Sequence, residues 1–165
     1  MNVNVRLSTD SDKNAIEKLM TICFCKRDYE NVMKESNSLN GRFLLAFEDK
    51  KLIGMTGLYY NQEYRAYELD WTCTHPDYRR NGVMTELFRR ICALTDEDIY
   101  CSCWRLPEKE ANLLKIMKRF GFEEVVRCRI SLDSRYNCKA GESCIEIEDG
   151  FCRCYEDLWL RREID

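Results

Sequence analysis

The sequence predicts a mixed α/β domain: a twisted, mostly antiparallel sheet of about seven strands flanked by about four helices. Two observations predict this fold class. Residues 43–47 and 52–60 are apolar runs separated by the polar turn 48–51, which indicates an antiparallel hairpin. Residues 67–74 and 83–94 then follow strand and helix patterns before a further apolar strand, and such crossovers require parallel neighbours. The sheet is therefore mixed.

The remaining elements carry their own signals. Residues 3–7 alternate like a strand, and Ser8, Thr9, Asp10 and Asp12 supply capping groups for the helix that follows. The apolar residues of that helix are Ile16, Leu19, Met20 and Cys23. The other predicted elements are a helix over 29–35, a loop over 36–41, strands over 99–103, 123–132 and 151–160, and a helix over 108–120 that Gly121 ends. We expect one domain over residues 1–165, with a cysteine-rich hairpin loop at about 134–154.

Composition excludes several classes of protein. The chain has 165 residues, of which 45% are apolar and 33% charged, so it is far from the disordered regime. A net charge of −3 argues against a nucleic-acid partner. No apolar run approaches the length of a membrane span, and Met1 leads into a polar, strand-like segment, so we expect neither membrane association nor a signal peptide. These observations predict a cytoplasmic protein.

The chain contains eleven cysteines, an odd number that argues against a disulfide framework. Most occupy positions where a small apolar residue is expected. The cysteines of the C-terminal hairpin are Cys138, Cys144, Cys152 and Cys154. Their spacing differs from two Cys-x-x-Cys pairs, so free thiols are favoured over a zinc site or a redox pair, and no metal is expected.

The most informative segment runs from Tyr67 to Ile91: a strand, a basic turn, and a helix that opens on Gly82. A helix N-terminus has unpaired N–H groups and about half a positive charge, and a glycine there lets an anion approach the backbone. Arg79 and Arg80 add positive charge beside it. This combination favours a pyrophosphate ligand.

The sequence Arg79-x-x-Gly82-x-Met84, after a strand that leads into His75-Pro76, resembles the signature of the GNAT superfamily of acyl-CoA-dependent N-acyltransferases. The element order and the Gly121-Phe122 pair are also similar to that family. The resemblance implies acetyl-CoA as co-substrate. It assigns the pantetheine and pyrophosphate to the end of the strand, the loop and the first helical turn: Cys73, Thr74, Arg79, Arg80, Gly82, Val83, Met84 and Thr85. It also implies that backbone groups near Cys73 and Thr74, where the strand bulges, bind the oxyanion.

Two positions depart from the family pattern. Met84 stands where glycine or alanine is usual, although its backbone N–H is unaffected. Met117 stands where members often have a tyrosine that protonates the departing thiolate, and methionine cannot donate a proton. Tyr59, Tyr60 and Tyr100 are possible substitutes that the sequence does not rank. The family generally transfers the acyl group directly, so Cys73 is expected to pack in the core.

An amine acceptor must lose a proton before or during attack, because an alkylamine is almost entirely protonated at pH 7. Glu68 and Asp70 lie two residues apart on one strand and therefore share a face. Either one is a candidate general base. Acidic residues of the first two helices, including Asp10, Asp12 and Glu17, would suit a cationic acceptor.

The function predicted is thus transfer of an acetyl group from acetyl-CoA to a primary amine of a small molecule or peptide, by a monomer or homodimer. Two alternatives stay open. One is a CoA-binding or regulatory module of the same fold that turns over slowly, which the residue Met117 favours. The other is a metal- or redox-sensing protein that uses the C-terminal cysteine loop.

Overall fold

A computed structural model describes residues 2–24, 26–35, 38–105, 112–131, 147–148 and 151–162. The chain divides into two compact units, the first built on residues 1–99 and the second on residues 100–162. Eight strands and four α-helices are formed by the described residues, and the predicted mixed α/β, mostly antiparallel fold class is confirmed. The strand beyond the predicted seven has only two residues.

The first unit contains four strands in the spatial order β1-β2-β3-β4, and every neighbouring pair is antiparallel. Its elements, in chain order, are β1 (Asn4–Leu7), a 3₁₀ turn (Asp10–Asp12), α1 (Lys13–Cys23), α2 (Lys26–Glu35), β2 (Phe43–Glu48), β3 (Lys51–Asn61), β4 (Ala66–Thr74), a second 3₁₀ turn (Pro76–Tyr78) and α3 (Val83–Cys92). The hairpin predicted around residues 48–51 joins β2 to β3.

The strands β2 and β3 are apolar on both faces because helices cover both. One face packs against α1 and α2 in a core that includes Ile16, Leu19, Val32 and Leu45. On the other face, a Cβ added at Gly54 would lie only 2.6 Å from Cγ1 of Val83 in α3, so the backbone and the helix are in close contact. The continuous apolar run of β2 follows from this double coverage.

The second unit contains β5 (Ile99–Arg105), α4 (Asn112–Arg119), β6 (Glu123–Ser131), β7 (Ile147–Glu148) and β8 (Phe151–Arg161). Within it β8 lies between β5 and β6, and β6 and β7 both pair with β8 in antiparallel register. The predicted closing pair of strands is therefore present.

The C-terminal ends of α3 and α4 have identifiable causes. Helix α3 stops at Cys92, two residues before its predicted end, because Ala93 and Leu94 donate to carbonyls three residues back and Leu94 is 43% exposed. Helix α4 ends at a glycine with φ +82°: Phe122 N–H donates to Met117 and Gly121 N–H to Lys118, the pattern of a Schellman motif. The start predicted for α4, residues 108–111, lies outside the described residues. None of the helices in the described ranges is long and apolar enough to cross a membrane.

Candidate functional site

Strand β4 contains a bulge next to the predicted site. Asp70 faces Gly57 and Cys73 faces Met55, so two residues of β4, Trp71 and Thr72, lie opposite a single residue of β3. The family resemblance implies a bulge near Cys73 and Thr74. In the structure the bulge lies just before these two residues, because both are back in register with β3. The backbone of β4 therefore changes direction before the strand reaches the predicted oxyanion position.

The bulge depends on Trp71, whose φ of +46° is unusual for an aromatic residue. A left-handed conformation costs an L-residue about 1–2 kcal/mol. The indole is half-buried against the core and meets the Phe24 ring edge to face, at 5.6 Å between centroids and 87° between planes. Such a contact contributes about 0.5–1.5 kcal/mol beyond burial, so packing against the end of α1 offsets the backbone cost.

The predicted carboxylate Asp70 lies in an ion pair with Arg42. Nη1 of Arg42 donates to Oδ1 at 3.0 Å, and Nη2 donates to Oδ2. The side chains of Arg42 and Asp70 are only 15% and 24% exposed. Gly57 makes room for them, since a Cβ there would lie 1.7 Å from Oδ1 of Asp70 and 2.7 Å from Nη1 of Arg42. A guanidinium bound at both oxygens fixes the orientation of the carboxylate.

The second predicted carboxylate, Glu68, is half-buried and pairs in register with Tyr59 of β3. Directly opposite residues of an antiparallel pair point to the same face, so Glu68, Asp70 and Tyr59 share one side of the sheet. The Arg42 guanidinium lies 5.7 Å from the Tyr59 ring centroid on this side. Two carboxylates and a phenol thus lie on one face of the sheet.

The loop after β4 is tied back to the sheet. His75 N–H donates to Ile53 at 2.9 Å, and Nε of Arg79 donates to the carbonyl oxygen of Thr74 at 3.3 Å. Nδ1 of His75 accepts from Asp77 N–H at 3.3 Å and thereby caps the 3₁₀ turn. These bonds fix the start of the predicted pyrophosphate loop.

Helix α3 opens on Gly82, whose φ of +78° explains why glycine stands there. The first helical hydrogen bond runs from Glu86 N–H to Gly82, which leaves the N–H groups of the first turn, Val83 to Thr85, without intrahelical partners. A Cβ added at Gly82 would have no atom within 4 Å, so the approach to these groups is open. Arg79 and Arg80 are exposed beside it, and Arg80 itself has φ +65°. Anions bind to such a surface through N–H groups and charge.

Cys73 belongs to the core. A hydrogen bond with the Cys23 thiol, together with burial, raises the pKa of Cys73 well above its usual value, against a smaller opposite effect of Arg79. Cys23 also donates to the carbonyl of Thr74 at 3.6 Å. A protonated, buried thiol is a poor nucleophile, so the geometry favours packing over acyl transfer through Cys73.

Two of the acidic residues expected to attract a cationic acceptor have structural partners instead. Arg6 donates to both oxygens of Asp12 at 2.6 and 2.8 Å, and this bond lowers the pKa of Asp12 from 3.8 to about 2. Asp10 accepts from the N–H of Leu39 at 2.7 Å and from the side chain of Asn40 at 3.0 Å. The charge of Asp12 is thus compensated by Arg6, whereas Asp10 is held in place by neutral donors and keeps its net charge.

In the second unit, Met117 is fully buried and accepts from the Cys103 thiol at 3.4 Å. Its side chain is therefore core, and Tyr100 of β5 is half-buried. Cys138 and Cys144 lie outside the described residues, as do the side chains of Cys152 and Cys154. Across the ranges given above, no group of three or more His, Cys, Asp or Glu side chains is arranged to hold a metal ion.

Sequence reasoning missed the residues that support this site. Arg42 precedes a strand and carries no signal of an ion pair with Asp70. Nothing in the sequence around Trp71 indicates its positive φ. Gly57, in the middle of a strand, does carry one, because glycine inside a strand often marks a close approach of other atoms.

Comparisons with known proteins identify the family and support the fold. Residues 13–122 match the Acetyltransferase (GNAT) family. A search among curated proteins found no significant match to the sequence. Among solved structures, the ribosomal-protein-S18-alanine N-acetyltransferase of Escherichia coli superposes with a TM-score of 0.74 at 11% identity, over 99% of this chain and 96% of that one.

Two other solved structures are similar over nearly the whole chain. YncA of Salmonella typhimurium, determined with its cofactor acetyl-CoA, has a TM-score of 0.68 and 11% identity, over 99% of this chain and 95% of that one. A GNAT-family acetyltransferase of Bacillus cereus ATCC 10987 has a TM-score of 0.66 and 15% identity, and the match covers 100% of both chains. At these identities the likeness concerns the fold.

Proposed function

Because the chain belongs to the GNAT acetyltransferase family, which uses acetyl-CoA, we propose that it transfers the acetyl group of acetyl-CoA to a primary amine of a small molecule or peptide. In this reaction the amine nitrogen attacks the thioester carbonyl directly. The C–N bond forms, the C–S bond breaks, the amine gives up one proton, and CoA leaves as a thiolate that must be protonated.

One observation carries the proposal: β4 leads through a fixed turn into a helix whose first N–H groups are open beside Gly82 and two exposed arginines. These groups fit the pyrophosphate of acetyl-CoA, because N–H donors and the helix dipole favour a doubly charged anion. Thr74 and Cys73, at the end of β4, would then lie along the pantetheine. Met84 would contribute only its backbone N–H to the pyrophosphate, and its side chain is half-buried.

Glu68 and Asp70 are the proposed general bases. On the order of one alkylamine in a thousand is neutral at pH 7, so a nearby proton acceptor raises the reactive fraction. Asp70 is oriented by Arg42, whereas Glu68 lies two residues away on the same face. Either carboxylate would accept the amine proton directly or through a water molecule. Backbone N–H groups after the bulge would bind the oxyanion.

Protonation of the thiolate needs a group other than Met117. Tyr59 shares the sheet face of Glu68, and Tyr60 and Tyr100 are further candidates. If none of them serves, the thiolate leaves without a proton donor. The burial of Met117 therefore also supports a second candidate function, a CoA-binding module with little or no turnover.

Release of CoA thiol, measured with acetyl-CoA and a panel of amines, distinguishes the two functions. We expect amine-dependent thiol release and a decrease of at least tenfold in kcat in one or both of Glu68→Gln and Asp70→Asn. The rate should be unchanged in the control Glu63→Gln, at an exposed residue of the turn between β3 and β4. Tight acetyl-CoA binding without thiol release for any amine would instead identify the binding module. A monomeric or homodimeric state and a cytoplasmic location remain predictions from the sequence.

A further inference from the structure

A basic groove lies on the first unit, between one stripe of α1 and the β2–β3 turn. Its volume is about 450 Å³, within the range of ligand-binding clefts. Lys18 lines it from α1, Lys50 and Lys51 line it from the turn, and His75 lines it from the start of the loop after β4. The buried side chain of Leu52 contributes to its floor, and Ile22 lies at its rim with 53% of its surface exposed.

The charge of this groove is opposite to that of the whole protein. The chain has a net charge of −3 and 29 acidic residues, yet none of the described residues that line the groove is acidic. Within the described part of the chain, no carboxylate forms an ion pair with Lys18, Lys50 or Lys51. Lys51 instead lies 4.7 Å from the Tyr78 ring centroid. Three ammonium groups therefore remain available to an anionic ligand.

The shape of the groove is that of a site for an extended chain. The lining residues on this side run from Ser11, in the 3₁₀ turn before α1, to Ile22 on α1. At about 1.5 Å per residue this is roughly 16 Å, the length of about five residues of extended peptide. An exposed isoleucine beside lysines provides one apolar contact among several charged ones.

From this geometry we infer that the groove binds an acidic peptide segment of about five residues that carries one apolar side chain. The carboxylates of the segment pair with the three lysines, and its apolar side chain covers Ile22 and Leu52. The inference does not depend on acetyl transfer. The groove adjoins the start of the pyrophosphate loop at His75, but none of its lining residues belongs to the set proposed to hold acetyl-CoA, so both ligands are expected to bind at the same time.

Binding of a capped peptide, Asp-Glu-Leu-Asp-Glu with a neutral fluorophore, tests this inference by fluorescence anisotropy. We expect binding that weakens as salt rises, and a dissociation constant about tenfold higher in the triple variant Lys18→Gln, Lys50→Gln, Lys51→Gln. The matched control removes three charges elsewhere, in Lys13→Gln, Lys34→Gln, Arg90→Gln, and should change the constant by less than about twofold. Ile22→Ser should weaken binding of the peptide that contains leucine. It should not change binding of a second peptide in which serine replaces that leucine.

Several results would overturn the inference. One is the absence of binding at about millimolar peptide, because a specific site of this size should have a dissociation constant below that concentration. Equal losses in the groove and control triples would mean that only net charge attracts the peptide. Displacement by saturating acetyl-CoA would assign the groove to the co-substrate. Equal competition by inorganic phosphate, or stronger binding of anionic vesicles or an oligonucleotide, would show that the groove does not select a peptide.

Discussion

Replacing Gly57 by alanine tests how Asp70 is held. The new Cβ would lie 1.7 Å from Oδ1 of Asp70 and 2.7 Å from Nη1 of Arg42, and both distances are far below any real contact of this kind. The ion pair must therefore open or move. Without such a clash, alanine in place of glycine at an ordinary φ stabilises a protein by about 0.4–1 kcal/mol. The clash with the ion pair is therefore expected to turn a stabilising substitution into a destabilising one.

The magnitude follows from the exposure of the pair. Breaking a fully buried ion pair costs about 3–5 kcal/mol and a fully exposed one about 0–1 kcal/mol. With side chains that are 15% and 24% exposed, we expect Gly57→Ala to lower the free energy of unfolding by about 2 kcal/mol. For a chain of this length that corresponds to a decrease in Tm of about 4–8 °C.

A double-mutant cycle with Asp70→Ala separates this cause from others. In the Asp70→Ala background the carboxylate is gone and Arg42, no longer held by it, can move away from the new Cβ, so Gly57→Ala should be neutral or slightly stabilising. Chemical denaturation of the four proteins gives the coupling energy, expected to exceed about 1 kcal/mol. An equal cost of Gly57→Ala in both backgrounds would refute the explanation, because the clash would then involve neither oxygen of Asp70.

Four further outcomes are expected. Because Arg6 depresses the pKa of Asp12 to about 2, the bond stabilises the folded state above pH 4 and this contribution disappears as the pH falls towards 2; the difference in unfolding free energy between the wild type and Asp12→Asn should shrink by about 1–2 kcal/mol, measured by urea denaturation at each pH. Cys73→Ala should keep kcat within a few-fold, since a thiol with a raised pKa carries no acyl group; complete loss in a folded variant would contradict direct transfer. Arg80→Gly relieves φ +65° and removes a charge, so calorimetry should show acetyl-CoA bound about fivefold more weakly by a protein of equal or higher Tm. Met117→Leu should leave turnover unchanged, whereas Met117→Tyr should destabilise the buried position by about 1–3 kcal/mol; faster turnover in Met117→Tyr would place this residue at the thiolate.

Much of the fold could be predicted because local signals and burial agree. The capping group of Asp12 does accept from Thr9 N–H, at 2.8 Å, and Gly121 ends α4 through its positive φ. The apolar runs of residues 43–47 and 52–60 predicted the hairpin of β2 and β3, which the structure contains. For the cap, the helix end and the hairpin, the sequence around one position contains most of the physical cause.

The candidate site was less predictable because its support comes from distant residues. The pairing of Arg42 with Asp70 joins positions 28 residues apart, and the thiols of Cys23 and Cys73 meet between a helix and a strand. The bulge at Trp71 depends on a ring contact with Phe24, which no local pattern contains. The start of α3 at Gly82 was predictable, since a glycine between a basic turn and an apolar helical pattern indicates it, whereas the binding of an anion at this loop stays a prediction.

Thermal unfolding with and without acetyl-CoA tests the central claim, that the loop before α3 binds this co-substrate. At about 100 times its dissociation constant, a ligand adds about 2.7 kcal/mol of stability, which corresponds to an increase in Tm of about 5–10 °C. We predict that acetyl-CoA gives this increase, that ATP and NAD do not, and that Arg79→Ala combined with Arg80→Ala reduces it. An unchanged Tm in acetyl-CoA, or an equal increase with ATP and NAD, would contradict the proposed site.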